Sequence, residues 1–431
     1  MKVLGQQVYS STSYARAREW GKLITITGSA QVIVQSIGFT CGILIIRLLP
    51  TEEYALYTLA NAMLGTMTVL ADGGVSTGVM SQGGKVWKNN EKLGTVLITG
   101  LELRRNFATI SLVAATPILF YLLSRHGASW LMSLLIVASL VPAFFSTLSG
   151  NLLEVAPKLW QDIFSLQKIQ VGINIGRFLL LALTLFAFPW AFVALLAAGL
   201  PQIGGNLKLL NLSKRYADWN QSSSPLMRRE ILSFVKLILP STIYYCLSGQ
   251  ITIWLLSVFG STAAIAQVGA LGRLAVMLSL ISILINTLFI PRFARLTASS
   301  TLLLKRIVQI TGVVVLVSAL ILSGVLLFPS KMLWVLGEKY LNLKFELFLT
   351  IIGSCLGLIA GTFFSAFTSR GWAINPLISI PISLLAIVLG IIAVDVSTLK
   401  GALMFTIFIN TVQVLINGTY CILKIFTIDK I

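Results

Sequence analysis

Apolar residues run on in long blocks along this chain, without the polar interruption every second or every third to fourth position that marks surface strands and helices. Twelve such runs fall at about 23–46, 54–80, 106–124, 128–150, 166–187, 189–210, 234–256, 264–290, 307–328, 346–368, 374–394 and 401–423. At 1.5 Å per residue a helix of about twenty residues crosses ~30 Å of hydrocarbon. Within lipid the backbone must pair internally, in helices or in a closed barrel, and continuous apolar length without period-two alternation selects helices. The third run is the least regular, because Glu102, Arg104 and Arg105 interrupt its entry.

The longest polar stretch between runs, 211–233, carries Lys214-Arg215, three serines followed by Pro225, and Arg228-Arg229. It divides the runs six and six and reads as a linker between lobes at 1–210 and 234–431. A weak repeat supports the division: an offset of 211 residues lays Glu53-Tyr54-Ala55 over Ala264-Ile265-Ala266, each at the start of the second run of its half. An even number of spans per half gives a parallel repeat about an axis along the membrane normal. The expected fold class is therefore an all-α integral membrane protein, with twelve transmembrane helices in two six-helix bundles related by a pseudo-two-fold along that normal. Repeats of this kind place a site between the halves near the midplane.

Charge decides orientation. Placing both termini in the cytoplasm puts 24 Lys and Arg residues on the inner side and 6 on the outer, with Arg177 and Arg273 left within spans. The positive-inside rule selects that arrangement. Trp130, Trp160, Trp190, Trp334 and Trp372 stand near span ends, as interfacial anchors do. The expected arrangement is multi-pass, with 257–263 outside and 211–233 inside.

Composition narrows the chemistry. Charged residues make up 11% of the 431 and the AVILMFWYC set 56%, against about 25% charged in soluble domains, so a large soluble enzyme is excluded. In a membrane chain the net charge of +18 belongs to the inner loops, and no nucleic-acid partner is implied. Cys41, Cys246, Cys355 and Cys421 lie inside apolar runs without CxxC spacing and read as small buried hydrophobes. His126 is alone, placed in a short outer loop, where it reads as a solvated residue; no metal-ligand cluster forms around it. Gly83-Gly84-Lys85 is followed by Val86 and fails as a phosphate loop. Neither a cofactor nor catalysis is expected. The first run reads as a retained anchor, since about 22 polar residues precede it and no cleavage site follows. The sequons at Asn211, Asn220 and Asn417 fall in an inner loop or a span, away from lumenal glycosylation.

Ionisable groups inside spans cost about 2.5–3.5 kcal/mol each on insertion scales and require a reason. Arg273, nine residues into the eighth run, is a candidate substrate contact, or else a snorkelling or paired arginine. Arg177 offers the same choice in the fifth run, with Asn174 on its face. Asp72, the only carboxylate in the interior of a run, precedes Gly73-Gly74, Glu346 standing at the first position of the tenth. It is a candidate site for a coupling proton or sodium ion, a partner for an arginine, or a cap at a broken helix. Arg47 ends the first run as an interfacial anchor or a substrate contact. Gln250 is deep in the seventh run and joins the candidate substrate-binding set. Gln31 and Gln35 share one face, as do Asn410, Gln413 and Asn417; hydrogen bonding between facing helices is the expected role, with cavity lining the alternative.

The stretch from Ile45 through Arg47-Leu48-Leu49-Pro50-Thr51-Glu52-Glu53-Tyr54 to Tyr57, followed by Leu70-Ala71-Asp72-Gly73-Gly74-Val75, resembles the opening of bacterial polysaccharide flippases of the O-antigen type. These belong to a superfamily shared with multidrug and toxic compound extrusion proteins and lipid II flippases. Ala55 stands where the family usually has glycine, and the motif covers about thirty residues, whereas the twelve-span layout covers the whole chain. The resemblance implies alternating-access transfer of an undecaprenyl-diphosphate-linked oligosaccharide from the cytoplasmic to the periplasmic leaflet, for O-antigen, capsule or similar polysaccharide. The implied partners are that lipid-linked substrate, membrane lipids, a proton or sodium counter-ion, and the polysaccharide polymerase. Two other readings share the hydropathy: a cation-coupled multidrug exporter, and an integral-membrane glycan polymerase or ligase. The second would carry a large charged outer loop, whereas the longest here, 329–345, has seventeen residues.

Overall fold

A computed structural model describes residues 29–30, 32–160, 162–290, 293, 299–370, 372 and 374–427. Gln31, the basic residues at positions 2, 16, 18, 22, 292, 295 and 430, and the side chain of Cys246 lie outside that description. The secondary structure of the described residues is all helix, and each of the twelve apolar runs is largely helical where it is described, with the second interrupted at Gly73-Gly74. In the first half these are α1 (Val32–Leu48), α2 (Thr51–Asp72), α3 (Val75–Val86), α4 (Asn90–Arg125) and α5 (Trp130–Leu153), then α6 (Val155–Leu159), α7 (Ile163–Leu185) and α8 (Ala191–Ser213). The second half holds α9 (Pro225–Phe259), α10 (Thr262–Ala275) and α11 (Met277–Leu284), which passes into a π-turn at Ile285–Phe289. It continues with α12 (Ser300–Leu327), α13 (Pro329–Leu336), α14 (Lys344–Ser369), α15 (Pro376–Ala393) and α16 (Leu399–Thr427). Nine helices among the described residues are long and apolar enough to cross a membrane.

The 211-residue repeat reappears in the breaks. Thr262 opens α10 as Thr51 opens α2, and the π-turn beginning at Ile285 stands where the first half has Gly74. At Gly73 and Gly74 φ is 49° and 94°, successive left-handed values that a side chain would strain, so the second span breaks there and restarts as α3. The helix that carries the third run starts well before 106. It begins at Asn90, where the Asn89 side chain accepts the Lys92 N–H at 3.0 Å, and it carries Arg104 inside the helix, buried. The basic cluster beside the apolar run is therefore part of the same helix, which at 36 residues is longer than a bilayer crossing needs.

Small residues and amide side chains hold the bundles together, as expected where lipid removes the hydrophobic drive between helices. Gly199 of α8 lies so close to α5 that a Cβ would come within 2.8 Å of the Ala143 methyl. In the second lobe α14 and α16 pack closely, and Asn410 and Asn417 donate to the carbonyls of Gly353 (2.8 Å) and Ala360 (3.2 Å). Gln413 donates to Ser383 Oγ of α15 at 3.2 Å. The three α16 amides thus bond across helices. Cys41, Cys355 and Cys421 are buried and unpaired.

The linker is strapped to the first lobe. Asp218 N–H donates to the Asn90 carbonyl at 3.0 Å, and the Asp218 carbonyl lies where a Cβ on Gly94 would sit, 1.8 Å away. Ser224 N–H donates to Thr99 Oγ1 at 3.0 Å, and Ile231 and Val235 of α9 are buried with Val75, Val79 and Leu97. The opening turns of α9 therefore pack on the first lobe, while its far end, with Thr252 bonded to Thr406 at 2.9 Å, packs on the second. The molecule has a linker end and an opposite end, which bears the turn between α1 and α2. The charge bias expects the linker end in the cytoplasm. Both Ser223 and Ser261 are exposed, so labelling of single cysteines in intact cells checks this: a membrane-impermeant maleimide is expected to modify Ser261→Cys and spare Ser223→Cys, and the reverse pattern inverts the sidedness.

Candidate functional site

A cavity of about 310 Å³ lies between the lobes, walled by α2 on one side and by α9, α10, α14 and α16 on the other. Arg273, Gln250, Asn61, Thr252, Thr350 and Thr406 supply its polar surface, and no carboxylate lines it. Two of the sequence candidates, Arg273 and Gln250, thus meet in one space. Arg273 stands about 16 Å along α10 from Thr262 at helical rise. Its guanidinium lies beside the phenols of Tyr54 and Tyr57, whose rings stack with centroids 6.1 Å apart. Gly42 of α1 makes room for the arginine stem, since a Cβ there would sit 3.1 Å from Arg273 Cδ. Close approach of α10 to α2 is set by Gly269, packed on Thr58.

Arg177 does not line this cavity, but Cys41 of α1 is within electrostatic reach of both Arg177 and Arg273, which places the two cations on neighbouring sides of α1. The Arg177 Nε is buried without a hydrogen-bond partner. Three ion pairs occur among the described residues, and neither of these arginines takes part in one. Neither guanidinium therefore has a carboxylate partner among the described residues.

Asp72 is elsewhere. Its carboxylate pairs with Arg104, which is 2% exposed and also donates to the Leu148 carbonyl and to Ser76 Oγ (2.5 Å). The same oxygen, Oδ1, accepts from the Ser76 hydroxyl at 2.7 Å and, more loosely, from its N–H at 3.3 Å. Pairing and capping therefore coexist at the break between α2 and α3. The partner is Arg104 and not Arg273, because the two glycines end α2 with Asp72 facing α4. The clue available in the sequence was spacing: Arg104, Ala108, Ser111 and Ala115 recur at helical intervals and are all buried.

Arg47 also lies away from the cavity. It donates to the carbonyls of Val335 (2.9 Å) and Trp334 (2.6 Å) at the end of α13 and stacks over the Trp334 ring at 4.8 Å. The C-terminal carbonyls of a helix attract a cation, and Arg47 turns its donors to them. Lys339 returns the contact to the Leu49 carbonyl at 2.8 Å; burial lowers its pKa below the ordinary lysine value, with Glu52 opposing. His126, 8% exposed, is not solvated: Nδ1 lies 3.0 Å from Thr262 Oγ1 and Nε2 lies 3.0 Å from the Ser257 carbonyl. Beside it Arg125 donates to the Val258 carbonyl. All four side chains cross between lobes at the end opposite the linker. In this latch the seventeen-residue loop, folded as α13 and a 3₁₀ turn at Glu338–Tyr340, receives Arg47 and supplies Lys339, while the end of α9 and the start of α10 receive Arg125 and His126.

Among the described residues no three His, Cys, Asp or Glu side chains gather to hold a metal. No family model matches the sequence, and no curated protein is similar enough in sequence to match. Solved structures are similar in fold. An inward-facing multidrug resistance MATE family transporter of the MOP superfamily aligns over 92% of this chain and 96% of its own, with a TM-score of 0.76 at 15% identity. An outward-facing structure of a MATE family transporter of that superfamily aligns over 95% and 97%, at 0.66 and 16%. A MATE structure in complex with MaD3S covers the same shares at 0.65 and 16%. The architecture is thus that of the MATE transporters, twelve helices in two bundles.

Proposed function

We propose that this chain is an alternating-access carrier that moves the anionic, hydroxyl-rich head of an undecaprenyl-diphosphate-linked oligosaccharide across a bacterial inner membrane, from the cytoplasmic to the periplasmic leaflet, for surface polysaccharide synthesis. The observation that carries this reading is the inter-lobe cavity, which has Arg273, amides and hydroxyls but no carboxylate. A guanidinium offers two parallel hydrogen bonds to phosphate oxygens, and amides and hydroxyls match sugar hydroxyls. The isoprenoid tail stays in lipid, so only the head needs a polar path. No covalent bond is made or broken. A lobe-rocking exchange suffices, with direction set by an ion gradient or by removal of product, the polymerase being the consumer.

The second reading, a cation-coupled multidrug exporter, is favoured by the fold likeness to proteins described as multidrug transporters. The cavity argues against it, since a cationic drug facing Arg273 has no carboxylate to pair with. One pair of strains separates the two. Expression in a flippase-deficient strain is expected to restore surface glycan, and expression in an exporter-deleted strain is expected to leave efflux of cationic dyes unchanged. Dye efflux without glycan rescue selects the exporter.

A further inference from the structure

Helix α7 has three distinct faces. Phe164, Ile175, Leu179 and Leu183 are between 45% and 75% exposed and form its lipid side. A second face packs on α8, where Ile173 fills the space over Gly205 and Gly176 meets Pro201. The third carries Gln167, Gln170, Asn174 and Arg177, spaced by three and four so that they stack along one line. Gln170 Nε2 donates to Glu154 Oε1 at 2.9 Å, and Arg177 lies near Cys41 of α1, so this line faces the interior of the first lobe. From Gln167, one turn into α7 at the linker end, to Arg177 it spans about 15 Å at helical rise.

The line is under-satisfied. Among the described residues Gln167 Oε1 and Arg177 Nε are buried with no hydrogen-bond partner, and the one bond of Asn174 goes to the carbonyl of Gln170 one turn earlier. Unpaired polar atoms in a membrane bundle are costly, and two of them at the ends of one polar line have a use when a ligand completes them. We infer that the α7 face is a polar track that receives sugar hydroxyls at Gln167, Gln170 and Asn174 and diphosphate at Arg177, leading the head from the linker end toward Arg273. This rests on the reading of the cavity as a site for a lipid-linked anionic head. Amide groups both donate to and accept from hydroxyls, while the guanidinium selects phosphate, so the order of residues along the helix matches the order of groups in a glycosyl diphosphate.

Binding by the purified full-length chain tests the track, with two probes: farnesyl diphosphate, and farnesyl diphosphate esterified with N-acetylglucosamine. Gln167→Leu and Asn174→Leu are expected to weaken the sugar-bearing probe about tenfold, the size of a hydrogen bond left unpaired, and to leave the bare diphosphate unchanged. Arg177→Gln is expected to weaken both. Gln167→Leu is also expected to hold or raise the thermal stability of the protein, because it removes a buried unpaired oxygen, whereas a packing role predicts a loss. Wild-type affinity of both leucine variants for the sugar-bearing probe overturns the track, as does the absence of any gain from the sugar in wild type. Failure of wild type to bind either probe overturns instead the reading on which the track depends.

Discussion

Asp72→Ala is expected to cost about 3–5 kcal/mol of stability, the range for removing one partner of a buried ion pair. The reason is what remains: Arg104 is 2% exposed, and its guanidinium keeps only the Leu148 carbonyl and the Ser76 hydroxyl. Arg104→Met on its own leaves Asp72 with Ser76 and less of its charge buried, since that side chain is 26% exposed, so the loss is smaller. The double variant, with both charges gone, is expected to recover most of the difference, as replacement of a whole buried pair by apolar groups is often close to neutral. Thermal unfolding in detergent of wild type, both single variants and the double reads this out; equal stability of Asp72→Ala and wild type removes the pair from the account. The cycle also bears on ion coupling. If the double variant regains stability and its transport keeps the same gradient dependence, Asp72 serves the fold; lost dependence in a stable protein assigns the coupling ion to it.

Arg273→Ala is expected to behave in the opposite way, abolishing transport while leaving insertion and stability near wild type. No carboxylate depends on this arginine, so its removal strands no opposite charge, and the neighbouring Tyr54 and Tyr57 keep their stacked packing. Losing a desolvated charge-assisted contact to an anionic ligand costs about 2–5 kcal/mol, roughly thirtyfold to several thousandfold in affinity. Arg273→Lys keeps the charge without the planar fork and is expected to retain part of the activity. Because Asp72 and Arg273 have separate partners, the combination of Arg273→Ala with Asp72→Ala is expected to be additive, with no mutual rescue. Surface glycan display beside detergent stability measures all of these. Full display by Arg273→Ala removes the arginine as a required contact.

The spans were legible because apolar length is a property of the chain alone, and Arg273 and Gln250 were legible because polar groups stand out against it. Pairing was not. Arg104 stood in a charged cluster with Glu102 and Arg105, and hydropathy averaged over the cluster concealed that only one of the three faces inward. The face of α7 is half visible in sequence, in Asn174 and Arg177; Gln167 and Gln170 extend it at the same spacing but do not stand out, because neutral amides near a span end carry little cost. Neither His126 nor Arg47 announced its role, since each meets main-chain carbonyls contributed by any residue type. A span count also hides the ordered linker: 211–233 is polar in sequence, yet close approach at Gly94 fastens it.

On the proposed carrier function, the latch at the end opposite the linker is expected to act as an adjustable idle position. Its donors are four separate side chains, Arg47, Lys339, Arg125 and His126, and each bond to a main-chain carbonyl is weakened by a single substitution with no compensating change across the interface. At about 0.5–1.5 kcal/mol per bond, removing one donor shifts the ratio of open to closed lobes about two- to twelvefold. None of the four lines the cavity. Selection can therefore set how long the resting protein waits facing one leaflet, and how readily it slips without cargo, while what it recognises stays fixed.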